Sequence, residues 1–328
     1  MNKLLLLLSF GAVLNASYSN CKMKNKNYED VCEKVVKNGV SYTYANEFLL
    51  SCEKVNKLDE KSWKYLHPDK VLVFRGNEKR ANNTLLPHVP RIVRHLKKYA
   101  KVYDFTEAEF GVNREVVAAI LMKETALGKI KLKHDAFEVC NTMVLKTKPI
   151  TPRDKWLLKM GKSNMASVIE YCYKKALEPK KCNLPSSYAG AVGIPQFMPN
   201  SFVYAQGYKT DLADLNKMED AIVSASKFLH TKASFDSLIE WERLSDIELI
   251  EGAWYDYELK HRNSSLVYER NKRDNHPYKC FLCEAKNYQY LRKYAKKIMV
   301  YNNSSNYAIG VLRLAYESHV KLVDKKGE

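Results

Sequence analysis

The stretch from Gly111 to Gly128 constrains the fold most, because it reads as one apolar helix carrying a carboxylate on its greasy side. Asn113 stands where an N-cap belongs, Glu115 falls in the first turn and Lys123 near the end, charges that complement the helix dipole. Val112 and Val117 occupy the two positions of a hydrophobic staple, and Gly128 is a natural stop. These signals predict a helix from about Arg114 to Leu127, roughly 21 Å long at the standard rise. Val117, Ile120 and Leu121 form its apolar stripe, and Glu124 follows them on the same face. A carboxylate there is costly unless it is paired or protonated. Burial raises a carboxyl pKa, so such a glutamic acid holds its proton near neutral pH and can give it away. Read alone, the same residue serves as well as a structural Glu that pairs with a lysine or caps a neighbouring element.

The segment from Ser187 to Ser201, with the sequence SYAGAVGIPQFMPNS, is the second unusual feature. Its two glycines and two prolines argue against an ordinary helix or central strand. Ala189, Gly190, Ala191 and Gly193 suit a backbone that must approach another surface closely. Ser187, Gln196 and Asn200 offer donors and acceptors that a sugar could use, although a tight loop packed on the core explains the same residues.

Helical patterns flank both features. One begins near Pro90, with Ile92, Val93, Leu96, Tyr99, Ala100 and Tyr103 at helical spacing. Another runs from about Asp220 to Lys232, with Ala221, Ile222, Ala225, Phe228 and Leu229 on one face. A last one follows Tyr301-Asn302, where Ser304 or Ser305 can cap a helix packed through Ala308, Val311, Leu312 and Ala315. Residues 20–85 read as helical, followed by a turn-rich stretch from Gly76 through Asn82, Asn83 and Pro87. There is no internal repeat.

The amino terminus reads as an export signal: Lys3, an apolar run through Leu14, then small residues at Ala16, Ser17 and Ser19. Tyr18 and Asn20 are poor residues for a lipidation site at Cys21, so lipoprotein anchoring is not expected. No other stretch is long and apolar enough to be a membrane span, and membrane association is expected to be weak or absent. Eight cysteines behind such a signal suggest disulfides in an oxidising compartment. Local pairing would join Cys32 with Cys52, Cys172 with Cys182, and Cys280 with Cys283. The run from His276 to Cys283 could hold zinc, but it lacks a fourth ligand and export favours a disulfide. The formal net charge of +17 calls for anionic partners. Outside the cytoplasm these are cell-wall polymer and membrane surface, and solvated lysines account for much of the excess.

Three segments together resemble the lytic murein transglycosylase B family. The first is the helix from Gly111 to Gly128, which begins Gly-Val and ends in Glu124-Thr125, two residues, then Gly. The second is Ser187 to Ser201, similar to the family's Ser-Tyr-Ala-Gly-Ala-Met-Gly-x-x-Gln-Phe-Met-Pro-x-Ser, and the most specific of the three. The third is Tyr301-Asn302-x-Ser304-x-x-Tyr307-Ala308. The resemblance covers roughly residues 86–320. It implies a mainly α, α+β lysozyme-like fold: a helical catalytic domain with a small β element beside the cleft and an N-terminal helical extension. The expected organisation is a signal peptide over 1–19, a helical region over 20–85 and the catalytic domain over 86–328, with 233–285 a variable, cysteine-containing insertion.

The resemblance further implies that Glu124 is the single catalytic acid/base. Ser187, Tyr188, Gln196, Tyr301 and Asn302 would bind the glycan. The activity would be cleavage of the β-1,4 bond between N-acetylmuramic acid and N-acetylglucosamine, leaving 1,6-anhydromuramic ends, in the periplasm and without a cofactor or metal. Peptidoglycan glycan strands would be the partner, not nucleic acid, for which no motif is present. Ala126, Leu127, Ile194, Pro195 and Phe228 depart from the family pattern and bear on subsite detail. Asp211, Asp214 and Asn216 lie where some relatives carry a calcium loop, but without EF-hand spacing. A hydrolase of lysozyme type would need a second carboxylate, for which Asp135, Asp211 and Asp220 are candidates. A non-catalytic wall-binding protein is the other reading.

Overall fold

The computed structural model describes residues 21–51, 53–66, 78–251 and 287–324. The expected signal peptide, Cys52, His276 and the Cys280/Cys283 pair lie outside the described residues. Lys26–Lys37 (α1), Tyr42–Asn46 (α2), Glu60–Leu66 (α3) and Glu78–Leu85 (α4) come first. Val89–Lys98 (α5), Ala100–Phe110 (α6) and Arg114–Thr125 (α7) follow. His134–Asp135 (β1) leads into Ala136–Lys146 (α8) and Pro152–Lys174 (α9), and Pro185–Ser186 (β2) closes the hairpin-like excursion. Met218–Ala233 (α10), Tyr288–Met299 (α11) and Ser305–Asp324 (α12) complete the chain. The architecture is mainly helical with a small β element, as expected.

Two large apolar cores, with two smaller clusters beside them, divide the packing. In one, α5, α6, α10, α11 and α12 surround α7, whose residues Val116 to Met122 are all buried. An apolar surface all round marks a central helix, so the expected single stripe understates its burial. The second core joins Val31, Cys32 and Val35 of α1 to Phe137 and Cys140 of α8 and Met165 and Ile169 of α9. β1 and β2 pair antiparallel, with His134 opposite Ser186, and bridges from Ser186 to Val192 and Val192 to Phe197 extend the ladder into the loop 187–201.

Several local expectations need correction. Cys32 is bonded to Cys21, not Cys52. The residues ahead of the N-cap Asn25 are enough to run back along the first two turns of α1, which brings the two Cα atoms within 5.8 Å. Cys172 pairs with Cys182 as expected, and Cys140 is a buried thiol whose pKa burial pushes up. Asn82 and Asn83 lie in α4, not in a turn; Asn82 is buried against Gly310 of α12, where a Cβ would fall 2.3 Å from its amide. The helix expected from Pro90 breaks at Tyr99, and α6 starts one residue later. Asn113 holds the N-cap position, but its side-chain oxygen accepts from Ile239 N at 2.8 Å instead. Glu107 takes over the capping, accepting from Arg114 N at 2.8 Å.

Candidate active site

α7 ends two residues earlier than expected, just after Glu124 and Thr125. Ala126, Leu127 and Gly128 then adopt φ of +50°, +57° and +78°. Two of these are not glycine, so the turn is strained by about 1 kcal/mol or more per residue and must be held by its surroundings. It is held from both sides. Ala126 O accepts from the Arg91 guanidinium of α5. Thr125 Oγ1 accepts from Gly128 N at 3.1 Å and donates to Ile194 O at 2.9 Å, which ties the end of α7 to the loop 187–201.

Glu124 is half-buried. The hydroxyl of Tyr307, in the first turn of α12, donates to its Oε1 at 2.6 Å. Tyr307 is itself placed by Ser304, one of the two serines expected to cap this helix, whose Oγ accepts from Tyr307 N at 3.2 Å. The Lys123 ammonium lies 4.9 Å from the centre of the Tyr307 ring and donates to Asn82 Oδ1. Asn82 Nδ2 in turn donates to Asn306 O at 2.8 Å. Four side chains from α4, α7 and α12 thus form one chain of contacts that ends on the carboxyl. Tyr307, Lys123 and Asn82 were not read as site residues from sequence; Tyr307 stands inside the third motif, and its placement in the first helical turn was the available signal.

Tyr301 is close enough for the Glu124 charge to act on it. Burial, with that charge adding to it, pushes the Tyr301 phenol well above its ordinary pKa. Its hydroxyl therefore keeps its proton and donates to Pro195 O, a second tie to the loop. Its ring packs on Phe228 at 5.0 Å and on Phe197 at 6.0 Å. Gln196 sits at φ +52°, with Nε2 donating to Gly193 O at 2.9 Å. Gly193 must be glycine, because its φ is +72° and a Cβ would lie 2.5 Å from Leu215 Cβ. The close approach expected of the small residues is therefore real at this position.

Gln196 and Tyr301 line a groove of about 430 Å³ with Trp156, Asn200, Phe228 and Lys232. Phe228, noted as a departure from the family pattern, is one wall of it. Ser187, Tyr188 and Asn302 do not line this groove. Ser187 Oγ accepts from Ala191 N at 3.2 Å and so closes its own turn. Tyr188 is exposed with its ring 5.3 Å from that of Tyr65, and Asn302 is exposed at the turn before α12.

The three carboxylates considered for a hydrolase are placed as follows. Asp135 is buried, paired with Lys54 at 2.9 Å, and accepts from Phe137 N and Glu138 N as the cap of α8. Asp220 accepts from Tyr208 N at 2.9 Å and Asp214 N at 2.8 Å, closing the loop in which Asp211 stands exposed. Two of the three are committed to holding backbone. Among the described residues no three His, Cys, Asp or Glu side chains gather as a metal site, and no helix is long and apolar enough to cross a membrane.

Comparison with known proteins gives a consistent picture. The chain matches the transglycosylase SLT domain over residues 24–316. By structure it is similar to the Escherichia coli lytic transglycosylase SLT35 in complex with bulgecin A, with TM-score 0.65 and 17% identity over 92% of this chain and 95% of that one. It is also similar to SltB1 from Pseudomonas aeruginosa, a soluble lytic transglycosylase, with TM-score 0.54 and 18% identity over 92% of this chain and 100% of that one. SltB3 from the same organism, in complex with NAG-anhNAM-pentapeptide, gives TM-score 0.54 and 16% identity over 88% of this chain and 78% of that one. No protein of curated function matches the chain by sequence. With the domain match spanning most of the chain and the lysozyme-like fold in place, the chain belongs to the transglycosylase SLT domain family and is a peptidoglycan lytic transglycosylase.

Proposed function

We propose that Glu124 is the catalytic acid and base of this enzyme, and that it cuts between N-acetylmuramic acid and N-acetylglucosamine to leave 1,6-anhydromuramic ends. The observation that carries this reading is the 2.6 Å hydrogen bond from Tyr307 to Glu124, together with the Thr125 bond to Ile194. These contacts bring three segments that are far apart in sequence together at the end of α7, beside the Glu124 carboxyl.

In this mechanism protonated Glu124 donates to the glycosidic oxygen, and the N-acetylglucosamine departs with a free 4-hydroxyl. The muramic anomeric carbon passes through an oxocarbenium-like state, with the N-acetyl group assisting in place of a second carboxylate. Glu124, now ionised, takes the proton of the muramic C6 hydroxyl as its oxygen attacks that carbon. Proton and charge balance, and no water is consumed. Tyr307 holds the carboxyl by its Oε1 throughout. Tyr301, Gln196 and the groove beyond them bind the glycan, with Ser187, Tyr188 and Asn302 shaping the adjoining surface. The engagement of Asp135 and Asp220 in loop and helix closure supports a one-carboxyl mechanism over a hydrolase. The anhydro sugar in the ligand of the Pseudomonas aeruginosa SltB3 complex supports the product. The amino-terminal signal pattern and the disulfides support action in the periplasm.

Mass analysis of fragments released from purified sacculi tests the reading. Anhydromuramic ends are expected; fragments heavier by one water, with reducing ends, would replace it with a hydrolase.

A further inference from the structure

The loop 208–217 and the junction of α5 with α6 enclose a basin of about 810 Å³. Five lysines line it: Lys97, Lys98, Lys101, Lys209 and Lys217. All five are exposed, and none makes an ion pair among the described residues. Some lysines elsewhere are neutralised, as Lys54 is by Asp135, Lys162 by Asp30 and Lys297 by Asp236, and others are solvated on the surface; these five instead gather around one concavity. The basin holds only two carboxylates, Glu219 and Asp220, and both oxygens of Asp220 accept backbone N–H groups. Two ammoniums are set over aromatic walls, Lys98 over Tyr99 at 5.0 Å and Lys209 over Tyr208 at 5.4 Å. The positive field reaches inward: Lys98 and Arg91 add to burial in holding the His95 imidazole down at about 4. Unneutralised like charges around a concavity repel one another, and an anion relieves that repulsion.

The basin is separate from the cleft. Lys217, Glu219 and Asp220 sit at the start of α10, whereas Phe228 and Lys232 line the groove beside Tyr301 near its end. At the helical rise the two sets of residues lie about 12 to 22 Å apart along α10.

We propose that this basin is a second, non-catalytic site for peptidoglycan, which takes the carboxylates of the peptide stems and tethers the enzyme to its insoluble substrate. The inference rests on the reading of the substrate given above. Stem carboxylates repeat along the polymer, so a weak second contact raises the local concentration of glycan at the cleft. A lipid bilayer is flat and meets convex surfaces, whereas these ammoniums line a hollow. Lysine, a flexible point charge, suits a mobile carboxylate of no fixed geometry.

The test is co-sedimentation of the full chain, carrying Glu124→Gln to prevent digestion, with purified sacculi. Adding K98E, K101E and K209E together is expected to weaken binding about tenfold at low salt, and less as salt is raised. Sacculi whose carboxyls have been amidated should lose the same affinity for the chain without the lysine changes, a comparison that needs no charge-reversed protein. The milder set K98Q, K101Q and K209Q serves if the reversals unfold the chain. Unchanged sedimentation of a folded lysine variant, or equal binding to amidated sacculi, overturns the proposal. So does a lysine-dependent affinity for phosphatidylglycerol vesicles with none for sacculi. If sacculi bind through these lysines but the parent releases no anhydro ends, the catalytic reading fails and the tether stands.

Discussion

The Glu124 end of α7 and the loop 187–201 meet at Thr125 and Ile194, yet they are held in different ways. The loop is shaped by its own backbone: Ser187 N donates to Ala191 O, Val192 and Phe197 exchange bonds, and Ile194 N donates to Leu215 O. The acid is placed by side chains far away in sequence, from Asn82, Arg91 and Tyr307. A local device needs particular residues at particular backbone angles. A tertiary device needs several helices to arrive together. Mutations should separate the two.

The largest effect is expected where the local device has no slack. Gly193→Ala adds a Cβ 2.5 Å from Leu215 Cβ at a φ of +72°, and should cost about 3 kcal/mol or more of stability. Denaturant unfolding reads this directly; a loss below about 1 kcal/mol would mean the loop adapts, against a rigid local device.

The acid side should instead reveal itself through pH. His95 belongs to the core around α7, with Nε2 3.0 Å from the Tyr103 hydroxyl and its pKa held down at about 4 by burial, helped by Lys98 and Arg91. An unfolded histidine takes up its proton near pH 6.5. Between there and pH 4 the unfolded chain binds the proton and the native chain does not, so stability falls as pH falls through that window. The loss reaches about 3 kcal/mol by pH 4. His95→Phe should flatten that part of the stability profile; an unchanged slope between pH 6.5 and 4 would assign it to other groups.

A smaller effect, on rate alone, is expected at the junction with α12. Tyr307→Phe removes the hydroxyl that donates to Glu124 and keeps the ring under Lys123. Turnover should fall about 10- to 100-fold, with stability changed by about 1 kcal/mol at most. A loss of stability with full turnover would make Tyr307 a packing residue. Smallest is Gln196→Ala, at the groove wall. It should raise KM several-fold and leave turnover nearly intact, as removal of uniform binding does.

This contrast also explains what the sequence disclosed. The loop was legible because glycine, proline and small residues report backbone geometry where they stand, as Gly193 does. The start of α12 was legible for the same reason, since a local serine caps it, Ser304 of the two that could. Glu124 was legible from helical spacing, although α7 is buried all round rather than along one stripe. Tertiary partners were not legible. Nothing near Asn82 tells that its amide lies against Gly310 and accepts from Lys123. Nothing near Asn113 tells that its oxygen serves Ile239. Cys21 reaches Cys32 only because the chain doubles back before α1, a path that spacing alone does not fix. Distant contacts of this kind are set by packing, and local propensity carries little trace of them.

Digestion of purified sacculi by the parent and by Glu124→Gln, with the released fragments identified by mass, tests the central assignment most directly. The expected result is anhydromuramic fragments from the parent and a rate lower by on the order of 10³ from the variant, with its thermal unfolding unchanged. A folded Glu124→Gln protein that releases the same fragments at the parental rate would contradict it.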